Sequence, residues 1–164
     1  MNFADNRKIL LNQLTRKIVL IIYEGLNSVY KDALKAVKDD KNKVLKFFQI
    51  LLTKVPEWTE DMVEHERRRI MIKCKKSDEI PLLIKAYLKL TLMQLTGFSH
   101  NNVLKFSSID EELDMDKFFH NIYIAISKEI YLNPYLFYHK KESSIECNKC
   151  KLIDTFQKYL VKLV

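Results

Sequence analysis

Cys147-x-x-Cys150 is the pair whose spacing most invites a chemical reading. On a helix, residues i and i+3 project from one side, so two thiolates could share a metal ion. A closed zinc site takes four nitrogen or sulfur ligands, and the remaining candidates are Cys74, His65, His100, His120 and His139. No second C-x-x-C and no H-x-x-x-H accompanies the pair, so neither a metal nor a cofactor is expected. A redox dithiol wants its sulfurs at a strand-to-helix turn, where the dipole activates them. Inside a helix these cysteines read instead as packing or exposed thiols, with an oxidised crosslink as the alternative.

The second group is His65-Glu66-Arg67-Arg68-Arg69, followed by Lys73. Arg67, Arg68, Arg69 and Lys73 are candidate anion contacts. Three consecutive arginines fan out over about 200° of a helix, so they cannot all meet one groove. A solvated face with local Glu–Arg pairs is the competing expectation. Asp110, Glu111, Glu112, Asp114 and Asp116 are dense in carboxylate but lack the loop glycine and the terminal Glu of a calcium loop. They read as helix-start acidity. Neither a G-x-S-x-G elbow nor an H-E-x-x-H helix is present, and no catalytic residue is assigned.

Large aromatic and apolar side chains form the third group. Trp58, Tyr135, Leu136, Phe137 and Tyr138 are candidate partner-binding residues, because such side chains offer much contact area with few rotors. Their alternative role is to close the ends of a bundle. No aromatic alternation on basic strands is present, which removes the common single-stranded nucleic-acid folds.

The elements that must position these residues follow from composition. The chain has 164 residues, 48% of them hydrophobic, enough for one domain with a core and no disulfide or metal staple. Only two glycines occur, Gly25 and Gly97, so glycine-rich phosphate loops are excluded and a hairpin-rich fold is not expected. Apolar residues recur at spacings of three and four, predicting a single all-α domain over 1–164 with about six helices.

The first helix is predicted to start after Asp5 and to break or kink at Gly25. A second, capped at Asp39-Asp40, runs from Lys41 to Lys54 and ends before Pro56. Thr59 caps a third and Ser77 a fourth that stops near Gly97. Residues 97–113 read as a polar connection with a single turn or short strand at Val103-Leu104. Asp114 caps a fifth helix ending at Asn133-Pro134, and Ser143-Ser144-Ile145-Glu146 opens a sixth.

Charge is uneven. The formal net charge is +7, and residues 1–55 hold 11 basic against 5 acidic side chains while residues 101–140 hold 4 against 6. A basic front suits nucleic acid, an anionic surface or an acidic protein. The longest apolar run, Ile18 to Tyr23, is far too short to span a membrane. Three cysteines make no secreted disulfide framework, and a soluble protein of a reducing compartment is expected.

Three segments together resemble a family of small proteins of nucleocytoplasmic large DNA viruses that has no assigned chemistry. One is Phe48-Gln49-x-Leu51-Leu52-x-x-Val55-Pro56-x-Trp58, followed by Glu66-x-x-Arg69-Ile70; another is Phe119-His120-x-x-Tyr123-Ile124; the third is Asn133-Pro134-Tyr135-Leu136-Phe137. The resemblance implies a viral protein made in host cytoplasm and packaged into the virion. The expected function is a minor capsid or cement protein that bridges capsomers by binding, with the major capsid protein or other virion proteins, or a second copy in a homodimer, as partners. The alternative is a basic nucleic-acid-associated factor in packaging or transcription.

Overall fold

The computed structural model describes residues 2–38, 40–97, 100–137 and 150–159. Among them the chain is all-α: α1 (Phe3–Ala36), α2 (Lys41–Thr53), the 3-10 turn Val55–Glu57, α3 (Glu60–Lys73), α4 (Glu79–Thr96), α5 (His100–Glu112), α6 (Met115–Leu132), the 3-10 turn Pro134–Phe137 and α7 over 150–159. The opening of the last predicted helix, 143–149, lies outside the described residues.

The 34-residue α1 is the spine, about 50 Å long at 1.5 Å per residue. It begins at Phe3 rather than after Asp5, because the Asn2 side chain accepts from the Ala4 amide and caps it. Its buried stripe Leu14, Ile18, Ile22, Leu26, Tyr30 and Ala33 keeps to spacings of three and four, so tertiary burial carries the helix through Gly25. The predicted break there is corrected to continuous helix.

On one side α1 packs on α4, with α5 behind; on another it meets α2 and α3, and α6 closes over α2 and α3. Asp40, Thr59 and Asp114 cap α2, α3 and α6 by accepting from the amides of Asn42, Met62 and Lys117. At α4 the expectation is corrected: the Ser77 side chain makes no cap. The chain enters from Lys76 in the left-handed region, and the Ser77 carbonyl accepts from the Ile80 amide. Gly97, at φ 69, ends α4, a conformation glycine adopts without strain.

Residues 100–112 are a helix, not the polar connection expected from the sequence. Phe106 and Ile109 are half-buried on this helix, Leu113 just after it packs against the core, and Lys85 and Lys89 of α4 reach the Asp110 carbonyl and carboxylate at 2.7 and 2.6 Å. A short amphipathic stripe tied by two lysines replaces the turn or strand drawn at Val103-Leu104.

Burial pushes the Tyr87, Tyr123 and Tyr159 hydroxyls above the ordinary tyrosine value. In the unfolded chain these groups ionise near pH 10, while the folded protein keeps its protons. Their stabilising contribution is therefore complete below about pH 10 and falls as pH rises from there through the raised folded values. The chain has eight tyrosines, so titration followed by helical signal and tyrosinate absorbance should show the last ionisations arriving together with the loss of helix; ionisation of all eight with the helices intact would contradict this.

Candidate functional site

Tyr123, Glu66 and Arg69 meet where α6, α3 and α1 converge. The Arg69 guanidinium grips Glu66 with two bonds, Nε to Oε2 at 2.8 Å and Nη2 to Oε1 at 2.7 Å. Nη2 also donates to the Ile21 carbonyl of α1 at 2.7 Å. The buried Tyr123 hydroxyl donates to Glu66 Oε1 from the far side. The pair is largely sheltered, with 24% of the Arg69 and 15% of the Glu66 side chain exposed. Hydrogen bonding to Glu66 raises the Arg69 pKa further above its ordinary value. Burial, then the Glu66 charge, raises that of Tyr123. Both Glu66 oxygens are engaged, which makes it a structural acceptor rather than a ready base.

Gly25 is what lets this cluster reach α1. A Cβ built there would lie 2.6 Å from Glu66 Oε1 and 2.9 Å from Arg69 Nη2, and closer still to the Tyr123 hydroxyl. Above the cluster α1 and α3 diverge into a groove of about 790 Å³, lined by charges of both signs (Glu24, Lys31, Asp32, Asp61, Glu66, Arg69) and by Trp58 and His65.

Trp58 forms the wall between this groove and a second of about 420 Å³, which Glu60, Asp61, Glu64, Asp114 and Asp116 make acidic. The Trp58 ring stacks on His120, 6.1 Å between centroids and 4° between planes, and leans on Tyr123 at 5.2 Å. His120 Nε2 lies 2.8 Å from the Val55 carbonyl; since a carbonyl only accepts, that nitrogen carries the proton and donates. Among the described residues no three His, Cys, Asp or Glu side chains converge as a metal ion would require. Cys74 and Cys150 are free thiols, the first buried and the second exposed, and Cys147 lies outside the described residues.

A third groove, of about 410 Å³, is nearly all apolar. It runs between the end of α2 and the second half of α6, lined by Leu52, Thr53, Pro56, Ile124, Ser127, Lys128, Tyr131 and Leu132. Gln49 ties its walls together by donating to the Tyr131 carbonyl at 2.7 Å, an end-of-helix acceptor without an intrahelical partner. Leu132 in its lining is 71% exposed, and Tyr135, three residues on in the chain, is 74% exposed.

The residues singled out from the sequence separate. Of the three arginines, Arg67 and Arg68 share Glu64, while Arg69 turns away from them. Arg67 pairs with Asp116 of α6, Arg68 with Glu64 at 2.6 Å on the solvent side, and Arg69 turns into the cluster. Lys73 pairs with Glu24. All four candidate anion contacts thus face carboxylates of their own chain. The 135–138 string also divides: Tyr135 points outward, Leu136 is half-buried, and Phe137 packs among Tyr23, Tyr30 and Phe48. Tyr138 lies outside the described residues.

From the sequence, Gly25 reads only as a break and Tyr123 only as part of a string, and the Tyr131–Leu132 ridge is not singled out. Two signals were available. One was a lone glycine inside a strong helical period, which marks a close approach. The other was a pair of large apolar residues immediately before a helix-ending Asn-Pro.

Fold and site define an all-α domain with one buried polar cluster holding three helices together and open grooves beside it. The profile of a family of unknown function, DUF5764, matches residues 1–138, and the chain belongs to that family. No curated protein matches the chain, and no solved structure does.

Proposed function

We propose that the protein is a structural component of a virion, a minor capsid or cement protein that bridges capsomers by binding and carries out no reaction. The observation that carries this reading is the apolar ridge Tyr131, Leu132 and Tyr135, held beside an apolar groove. Phe137, sunk in the aromatic core two residues on, pins the chain so that Tyr135 is presented on a fixed support. Exposed apolar surface of this kind marks contacts, and preorganised anchors lower the entropic cost of binding. The resemblance to proteins of large DNA viruses supplies the setting: synthesis in host cytoplasm and a place in the shell. Internal pairing of Arg67, Arg68, Arg69 and Lys73 weakens the competing nucleic-acid reading, because cations already facing carboxylates offer little to phosphate.

Replacing Leu132 and Tyr135 together by serine tests the role. Both are exposed, so stability should change by no more than about 0.5 kcal/mol per site, while incorporation into the capsid shell of purified virions should fall about tenfold or more. Undiminished incorporation, or recovery of the protein with the genome in a fraction that salt strips steeply, would overturn it.

A further inference from the structure

The groove between α2 and α6 has the features of a seat for a third helix. Two packed helices leave a furrow into which a third can lay its side-chain ridges, and this furrow has small residues, Thr53 and Ser127, between the larger Leu52, Ile124, Tyr131 and Leu132. The Ser127 hydroxyl is buried and has no hydrogen-bond partner, an unusual state for a polar atom in a folded protein. Charge around the furrow has one sign. Lys128 lines it, and Lys46 stands exposed on α2, seven residues before Thr53 and on the same face as Gln49 and Ile50. Neither lysine lies within ion-pair distance of a carboxylate among the described residues. Lys54 is neutralised by Glu57 at 3.0 Å, and Glu129 borders a separate small cavity with Leu136 and Phe137. Lys128 at the furrow and Lys46 one turn before Gln49 on α2 thus carry positive charges without a carboxylate partner among the described residues.

We infer that this groove receives an amphipathic helix of a partner protein, its apolar face against Ile124, Ser127 and Leu132 and its acidic flanks beside Lys46 and Lys128. Helix-in-groove recognition supplies the anchoring, and the lysines choose the partner by sign. A second copy is the poorer occupant, since a two-fold contact through this face would set its lysines against one another. The inference rests on the binding role proposed above and names the chemistry of what is bound.

Two synthetic amphipathic helices with identical leucine faces test it, one flanked by glutamates and the other by lysines, each titrated into the full chain by fluorescence anisotropy. The glutamate probe should bind about fivefold to tenfold more tightly, the effect of two exposed charge pairs. The double variant Lys46→Glu, Lys128→Glu should reverse that order, and Leu132→Asp should weaken both probes with the helical signal unchanged. Equal affinity for the two probes, no binding of either, or an order unaffected by the charge reversal would overturn the inference. So would a dimer in sedimentation that Leu132→Asp dissolves, which would make the second copy the occupant. The two readings fail separately. Loss of shell incorporation by the Leu132, Tyr135 variant without discrimination between probes removes only the acidic-helix partner. Discrimination by a protein absent from virion shells removes only the virion role.

Discussion

Gly25→Ala should destabilise the protein by about 2–3 kcal/mol, although the helix it sits in should prefer alanine. The two effects have opposite signs, so the outcome decides between them. In an exposed helix interior the exchange stabilises by about 1 kcal/mol. Here the new methyl group would lie 2.6 Å from Glu66 Oε1 and 2.9 Å from Arg69 Nη2. These are the far ends of side chains, and such ends normally swing aside cheaply. They cannot do so here, because Arg69 is held by three hydrogen bonds and Glu66 is held from both sides. Relief must come from separating α1 from α3 or breaking the cluster, and overpacking of this kind costs about 1–3 kcal/mol beyond any bond lost. Thermal and urea melts of the two proteins settle the sign. A higher melting temperature for the alanine variant would show that the cluster yields freely.

Glu66→Ala should cost about 3 kcal/mol, with most of the loss coming from what remains rather than from what is removed. Arg69 would keep the Ile21 carbonyl and only the more distant, exposed Glu24 carboxylate at 3.6 Å, and the buried Tyr123 hydroxyl would lose its Glu66 acceptor. Breaking a buried pair from one side costs about 3–5 kcal/mol, and the partial exposure of this one places it at the low end. Glu66→Gln, which keeps one acceptor for Tyr123 and the side-chain volume, should lose less. Replacing Glu66 and Arg69 together should lose less than the two single losses combined, the signature of coupling in a double-mutant cycle. Additive losses in urea melts would refute the cluster as a unit.

The apolar stripe of α1 and the caps at Asp40, Thr59 and Asp114 are local signals, and the helices they imply are the helices that form. The structure departs from the sequence expectation at Gly25 and over residues 97–113 for one shared reason. Local propensity scores a glycine as a breaker and a polar stretch as a loop, whereas burial against Tyr123 in one case and lysine ties from α4 in the other lie far away in sequence. Trp58, Glu66, Arg69, His120 and Tyr123 were each visible within the strings that carry the viral resemblance. Their meeting was not, because it depends on how α6 crosses α3. The 135–138 string illustrates the same limit: period alone does not say that Tyr135 turns out while Phe137 turns in.

The way α3 is attached has a consequence for how the molecule responds to its surroundings. Only Val63 and Ile70 of this helix are buried, and its polar ties to α1 and α6 are Arg67 to Asp116, Arg69 to the Ile21 carbonyl and to Glu24, Lys73 to Glu24, and Tyr123 to Glu66. Apolar burial is not screened by dissolved ions, whereas exposed charge pairs are screened over a Debye length of about 8 Å at physiological ionic strength. The part of the α3 grip that rests on Arg67–Asp116 and Lys73–Glu24 is therefore set by the solution as well as by the chain, while the part that rests on the sheltered Glu66–Arg69–Tyr123 cluster is set by the chain alone. Raising ionic strength should weaken the Arg67–Asp116 and Lys73–Glu24 pairs before it reaches the sheltered cluster beneath them.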